Sequence, residues 1–260
     1  MTSSTPDALW GAAPALRVLR PSAITVSNLS RGGVLDRFSL RIPVGTRLLV
    51  VSEPASGAST LLRILAGLSR PDGGRIEIAG LSDPSRSGWG GRAAYLGPEP
   101  GIHRWMTPRE ALTLAAGLLN VAAEDAARRI DRAMAWARIP AAAADRPVGR
   151  GGSPLIQRTG LAAALVTDPE VLLLDEPLRA IETGERTRLL SLPGQRHTIV
   201  VASRYPASEA GLVTHVALLR DGRPVLLAPV AALTDVGLPL SMRGIEALAA
   251  ERSARAAEAS

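Results

Sequence analysis

Apolar and polar positions along this chain fall into short strand-like runs that feed helical ones. Residues 23–28 (AITVSN) alternate as a strand, and 38–45 (FSLRIPVG) read as a second, edge-type strand with Pro43 near its end. RLLVVS (47–52) is a short apolar run, followed by the small-residue turn EPASGAS and the helical pattern TLLRILAGL (60–68). Strand, glycine-containing turn and helix make one βα unit. RPDGG (70–74) closes that helix, and RIEIAG returns as a strand. Residues 107–137 are expected to be helical, with Thr107 as N-cap, Pro108 at the first position, Glu110 three residues after the cap and a break near Asn120. The Pro- and Gly-rich stretch 139–154 reads as a loop, 155–166 as a helix, and EVLLLDEP as a buried strand ending in two carboxylates. TIVVAS (198–203) is another buried strand, and 215–229 a hairpin about Asp221-Gly222. The final stretch, GIEALAAERSARAAEAS, is expected to start as a helix and fray into a polar tail.

Composition narrows the chemistry. A chain of 260 residues, 46% of them apolar, can enclose one sizeable core or two small ones. It has no cysteine, which excludes disulfide frameworks, thiolate zinc sites and cysteine nucleophiles. His103, His197 and His215 are spread along the chain and argue against a histidine metal cluster. No run approaches the ~18 apolar residues of a membrane span. The opening residues lack a compact apolar segment and read as a loose tail rather than a signal peptide. These features point to a cytoplasmic protein. All 30 basic residues are arginine, with no lysine anywhere, and the sequence pI is about 11.1. The arginines are scattered singly among acids, and aromatics make up 3% of the chain, so stacking platforms for nucleic acid have little to be built from. Arginine standing in for lysine on a solvated surface accounts for the pI, and no nucleic-acid partner is expected.

Three segments carry a family likeness. STLLRILAGLSRPDGGRIEIAG (59–80), TDPEVLLLDEP (167–177) and the late LLRDGRPVLLAP occur in the order and spacing of an ATP-binding cassette (ABC) transporter nucleotide-binding domain. The resemblance covers residues 22–232, nearly the whole chain. It implies an α/β fold: an ABC-type P-loop NTPase core with an antiparallel β subdomain and a helical subdomain at about 100–158. Residues 1–21 would then be a flexible N-terminal tail, and 233–260 a partly helical C-terminal tail. It also implies ATP and Mg2+ as cofactors, a transmembrane permease and a second cassette domain as partners, and a peripheral place on the inner face of the cell membrane.

Carried over residue by residue, the resemblance meets an altered site. The family's phosphate loop, G-x-x-x-x-G-K-[ST], aligns with Ser52 to Ser59, followed by Thr60. Gly57 remains, and so does Ser59, the hydroxyl that binds magnesium in the family. The first glycine is Ser52, the lysine is Ala58, and a further glycine usual in transporters is Ala55. Glu53 adds negative charge where phosphates would sit. Asp175 aligns with the carboxylate that reaches magnesium, and Glu176 with the one that polarises the attacking water. Paired acids at a strand end also serve as caps for the next turn. The signature LSGGQ aligns without gaps to Gly151-Gly152-Ser153-Pro154-Leu155, and a shift would let Gly151-Gly152-Ser153 imitate its GG core. The Q-loop glutamine falls on Pro98 or Gly97. The switch histidine is Arg204, the D-loop aspartate is Glu182, and the ring that stacks on adenine would fall near Arg31-Gly32.

The losses concentrate on phosphate handling while the scaffold segments keep the family pattern. The resemblance therefore implies an ATP-binding subunit of a membrane transporter that binds ATP weakly, with impaired hydrolysis. The alternative is a non-hydrolysing cassette serving a permease or an active cassette as structural or regulatory partner. In the family's dimer each nucleotide lies between one chain's phosphate loop and the other's signature. Ala58 would weaken one site and Pro154 the opposite one, so a competent partner could not supply an intact site.

Overall fold

The computed structural model describes residues 21–53, 57–82, 89–182 and 197–258. The expected N-terminal tail and Ala55 lie outside them.

Two sheets organise the chain. Strands β1 (Ser22–Arg31), β2 (Leu35–Pro43) and β4 (Gly73–Ile78) form an antiparallel sheet in the order β2-β1-β4. This puts Pro43 at the end of an edge strand, where a missing N–H costs no ladder bond. The second sheet runs β5-β6-β7-β3-β8-β9. Its members are β3 (Arg47–Ser52), β5 (Ala93–Leu96), β6 (Val171–Asp175), β7 (Thr198–Ala202), β8 (His215–Arg220) and β9 (Arg223–Pro229). All its pairings are parallel except that of β9 with β8. Every residue of β6 and β7 is buried, the mark of a parallel sheet covered on both faces.

Strand alternation divides the core. Leu48 and Val50 of β3 point into one cluster with Leu173 and Val200. There they meet Leu61, Leu62, Ile64 and Leu65 of helix α1 (Ala58–Leu65), together with Ile24, Phe38 and Leu40 from the antiparallel sheet. A helix apolar on so many sides is stable only when packed between layers. Leu49 and Val51 point the other way, into a cluster with Leu172, Leu174, Ile199 and Val201.

A one-turn helix α2 (Trp89–Arg92) precedes β5, and three longer helices build a third cluster: α3 (Pro108–Leu118), α4 (Ala123–Trp136) and α5 (Gly152–Leu165). The expected capping box is present: Thr107 Oγ1 accepts from the Glu110 N–H at 3.1 Å, and the Thr107 N–H donates to Glu110 Oε2 at 2.9 Å. Asn120 breaks the helical run at φ 55°. Asp221 and Gly222 take φ 50° and 71°, as a tight two-residue hairpin demands.

The C-terminal segment differs from the expected tail. Helices α6 (Ala231–Asp235) and α7 (Met242–Glu258) send Leu233, Ile245, Leu248 and Ala249 into the second cluster, so the packed unit runs past residue 232. Ile245, Leu248 and Ala249 stand at i, i+3 and i+4, a single stripe that covers one sheet face. The alanine-rich remainder hid that stripe among residues that suit any face of a helix.

Candidate functional site

Strands β3, β7 and β6 lie side by side, so their C-terminal ends gather in one place. Asp175 is in register with Ala202, and Ala202 with Val50. Ligands of open α/β sheets bind at such strand ends. A cavity of about 310 Å³ opens there, lined by Ser52, Glu53, Gly57, Ala58, Ser59, Thr60, Pro98, Asp175, Glu176, Arg179, Ala202, Ser203 and Arg204. The lining thus brings together Ser52, Gly57, Ala58, Ser59, Thr60, Asp175, Glu176 and Arg204 from the sequence-derived set. Ser153 sits exposed near the start of α5, outside this lining.

Gly57 fixes how α1 begins. It caps the helix at φ 106°, a left-handed conformation, and a Cβ there would stand 2.8 Å from the Val34 carbonyl oxygen. Ala58 follows as the first residue of α1, largely buried at the edge of the first core cluster and part of the cavity lining. No ammonium is present where the family carries one.

Asp175 is 3% exposed. Burial raises its pKa above the usual carboxylate value, while a hydrogen bond from Ser59 opposes the rise and the neighbouring Glu176 charge adds to it. Tyr95 donates to Asp175 Oδ2 at 3.4 Å, and burial, reinforced by the Asp175 charge, pushes its phenol up to about 12. The native state thus holds the Asp175 proton more tightly than the unfolded chain does. Its contribution to stability falls as pH rises above the ordinary value of 3.8 and stays low at neutrality. Asp175→Asn removes that charge. In metal-free buffer the variant should melt a few degrees above the parent at pH 7, with the gap closing well below pH ~3.8. Thermal denaturation across pH checks this, and a lower melting temperature at pH 7 refutes it.

Glu176 follows with φ 50°, held by a hydrogen bond from its N–H to the Ala202 carbonyl at 2.9 Å. Arg204 grips its carboxylate twice. The Arg204 backbone N–H and Nε both donate to Glu176 Oε1, at 3.1 and 3.0 Å. The Glu176 side chain is 13% exposed. The turn that follows is braced by Gln157, buried on α5, whose Nε2 donates to the Pro177 carbonyl at 2.8 Å.

The other positions resolve as follows. Pro98, not Gly97, lines the cavity. Arg31 and the Gly32 N–H are both tied to Asp72, at 2.9 and 2.6 Å, and stand apart from the lining. Glu182 is exposed and outside it. Sequence reasoning missed Tyr95, Arg179 and Ser203. For Arg179 a signal existed: three residues past Glu176, it follows the buried Leu178 on the first turn after β6.

A model of the ABC transporter family matches residues 35–179. An aliphatic sulfonates import ATP-binding protein of Corynebacterium glutamicum is 32% identical over 213 residues, which cover 78% of this chain and 82% of that one. This chain belongs to the ABC transporter family. It is an ABC nucleotide-binding domain. A daunorubicin resistance ATP-binding protein of Streptomyces coeruleorubidus is also 32% identical, over 78% of this chain and 67% of its own length. The fold agrees with a dimeric bacterial ABC transporter cassette at a TM-score of 0.72 and 18% identity, covering 80% of this chain and 98% of the other.

The cassette's residues suit magnesium. The Ser59 hydroxyl and a buried carboxylate form an oxygen pair for a hard cation that keeps its remaining positions for water and phosphate. The amides that open α1 face the same cavity and favour an anion. Missing from the set is the lysine.

Proposed function

We propose that this chain is the cassette subunit of a membrane transporter, binding Mg-ATP weakly and turning it over little. The observation that carries this reading is the double grip of Arg204 on Glu176. The carboxylate aligned with the water-polarising residue already accepts two donors on Oε1 and is paired with a guanidinium, which makes it a poorer acceptor and a weaker base for an attacking water. Ser59 and Asp175 would hold magnesium, and the α1 amides with Thr60 and Ser52 would meet the phosphates. Bound magnesium would supply positive charge to offset that of the phosphates.

Magnitudes separate binding from turnover. A missing charged hydrogen bond at Ala58 costs ~1.5–3 kcal/mol, a ten- to hundredfold loss of affinity. Each lost preorganised donor costs ~10²–10³ in rate, and these effects combine non-additively. Affinity survives such losses better than catalysis does.

No helix among the described residues is long and apolar enough to cross a membrane. Membrane attachment therefore rests on a permease, with the cassette on its cytoplasmic side and paired with a second cassette. The relative named for sulfonate import supports an importer. The daunorubicin resistance relative is just as similar, so cargo choice is assigned to the permease. The alternative, a non-hydrolysing structural or regulatory partner, is supported by Pro98, which gives the cavity no side-chain amide.

Calorimetric titration with Mg-ATP, alongside a phosphate-release assay, tests the proposal. Weak saturable binding is expected, lost in the Ser59→Ala, Asp175→Asn double variant, with phosphate release near background. Turnover at ordinary transporter rates would refute it.

A further inference from the structure

Resting on that reading of the cavity, we infer that Arg179 is its phosphate-binding cation, taking over the part the absent lysine leaves open. The chain has no lysine, so any cation here is an arginine. Among the described residues, five charged side chains line the cavity: the acids Glu53, Asp175 and Glu176, and the arginines Arg179 and Arg204. Arg204 is committed to Glu176. Asp175 is engaged by Ser59 and Tyr95. The Arg179 guanidinium, by contrast, makes no hydrogen bond or ion pair with the described residues, and it is exposed at the rim.

The backbone holds it there. The Arg179 N–H donates to the Glu176 carbonyl at 3.2 Å, closing a tight turn, and Leu178 and Ile181 on either side are each 2% exposed. Gln157 braces the same turn at Pro177. An exposed arginine between buried anchors has a fixed root and a mobile fork. A guanidinium offers paired N–H donors that match phosphate oxygens, and it stays charged at any physiological pH. With Arg204 neutralised by Glu176, Arg179 is the cation left, among the described lining residues, to face an anion gathered at the start of α1.

The chemical class recognised is a polyphosphate, and the probes are Mg-ATP and inorganic tripolyphosphate. Arg179→Ala should weaken both by about tenfold at low salt, the scale of one charged hydrogen bond. Arg179→Lys should recover part of the loss, and the difference from the parent should narrow as salt rises. In an Ala58→Lys background the loss should shrink, because the ammonium then serves the same phosphates. Since Arg179 is exposed, an unchanged melting temperature checks the fold, with Arg179→Gln as a second neutral variant. Unchanged Mg-ATP affinity in Arg179→Ala overturns this inference and leaves the weak-binding reading standing. An undiminished loss in the Ala58→Lys background also overturns it. Arg179-dependent binding of tripolyphosphate without Mg-ATP binding sustains the inference and defeats the nucleotide reading. A parent protein that takes up neither probe defeats both.

Discussion

Replacing Ala58 with lysine is expected to tighten Mg-ATP binding by roughly ten- to hundredfold, the worth of one charged hydrogen bond to phosphate. Ala58 opens α1 and lines the 310 Å³ cavity while also belonging to the buried cluster beneath it, so a longer side chain reaches phosphate by extending into that cavity. Two effects oppose the gain. A cation at a helix N-terminus runs against the macrodipole, costing ~0.3–1 kcal/mol of stability while no anion is bound. The carboxylates of Glu53, Asp175 and Glu176 would also draw the ammonium toward themselves. Both are smaller than the expected gain once phosphate is present. The variant should therefore melt slightly lower without ligand and clearly higher with saturating Mg-ATP. Turnover should rise far less, because Arg204 still grips Glu176 and Pro98 still lines the cavity. Titration of both forms in one buffer decides it. Equal affinities would mean that Ser52 and Glu53, not the missing charge, control entry of phosphate.

Gly57→Ala is expected to cost about 3 kcal/mol of folding stability. Two penalties combine. Its φ of 106° is open to glycine and strained for any L side chain, at ~1–3 kcal/mol. The added methyl would also lie 2.8 Å from the Val34 carbonyl oxygen and 2.9 Å from Leu35 Cδ2, so backbone must move to admit it, at a further ~1–3 kcal/mol. For a domain of this size that is roughly a 10 °C drop in melting temperature. The displacement falls at the start of α1, so Mg-ATP affinity should fall with it. Urea unfolding gives the stability, and a change under ~0.5 kcal/mol would mean that the turn relaxes without strain.

Short-range chemistry in the sequence was enough to place β3, the turn at Gly57 and α1, the capped start of α3, the strand ending in Asp175-Glu176 and the Asp221-Gly222 hairpin. Each of these is decided within about ten residues, by period, cap or turn type, and the structure keeps them within about three residues. The order of the segments was equally legible, which is why the family could be read from a site that had lost its lysine.

What lay beyond the sequence was contact between distant positions. The pairing of Asp175 with Ala202 brings Arg204 onto Glu176 from 28 residues away, and no local rule assigns a partner at that separation. The choice between Pro98 and Gly97 turned on which faces the strand ends, a question of where β5 stops beside β6. Arg179 looked like one surface arginine among 30 until the turn between Leu178 and Ile181 aimed it at the cavity rim. The C-terminal helix looked like a tail because alanine suits any face, and only the sheet's open side shows that Ile245 and Leu248 have somewhere to go. Local pattern determined the elements of this cassette and their order. Burial and strand register, set by how those elements pack, decided which charges meet.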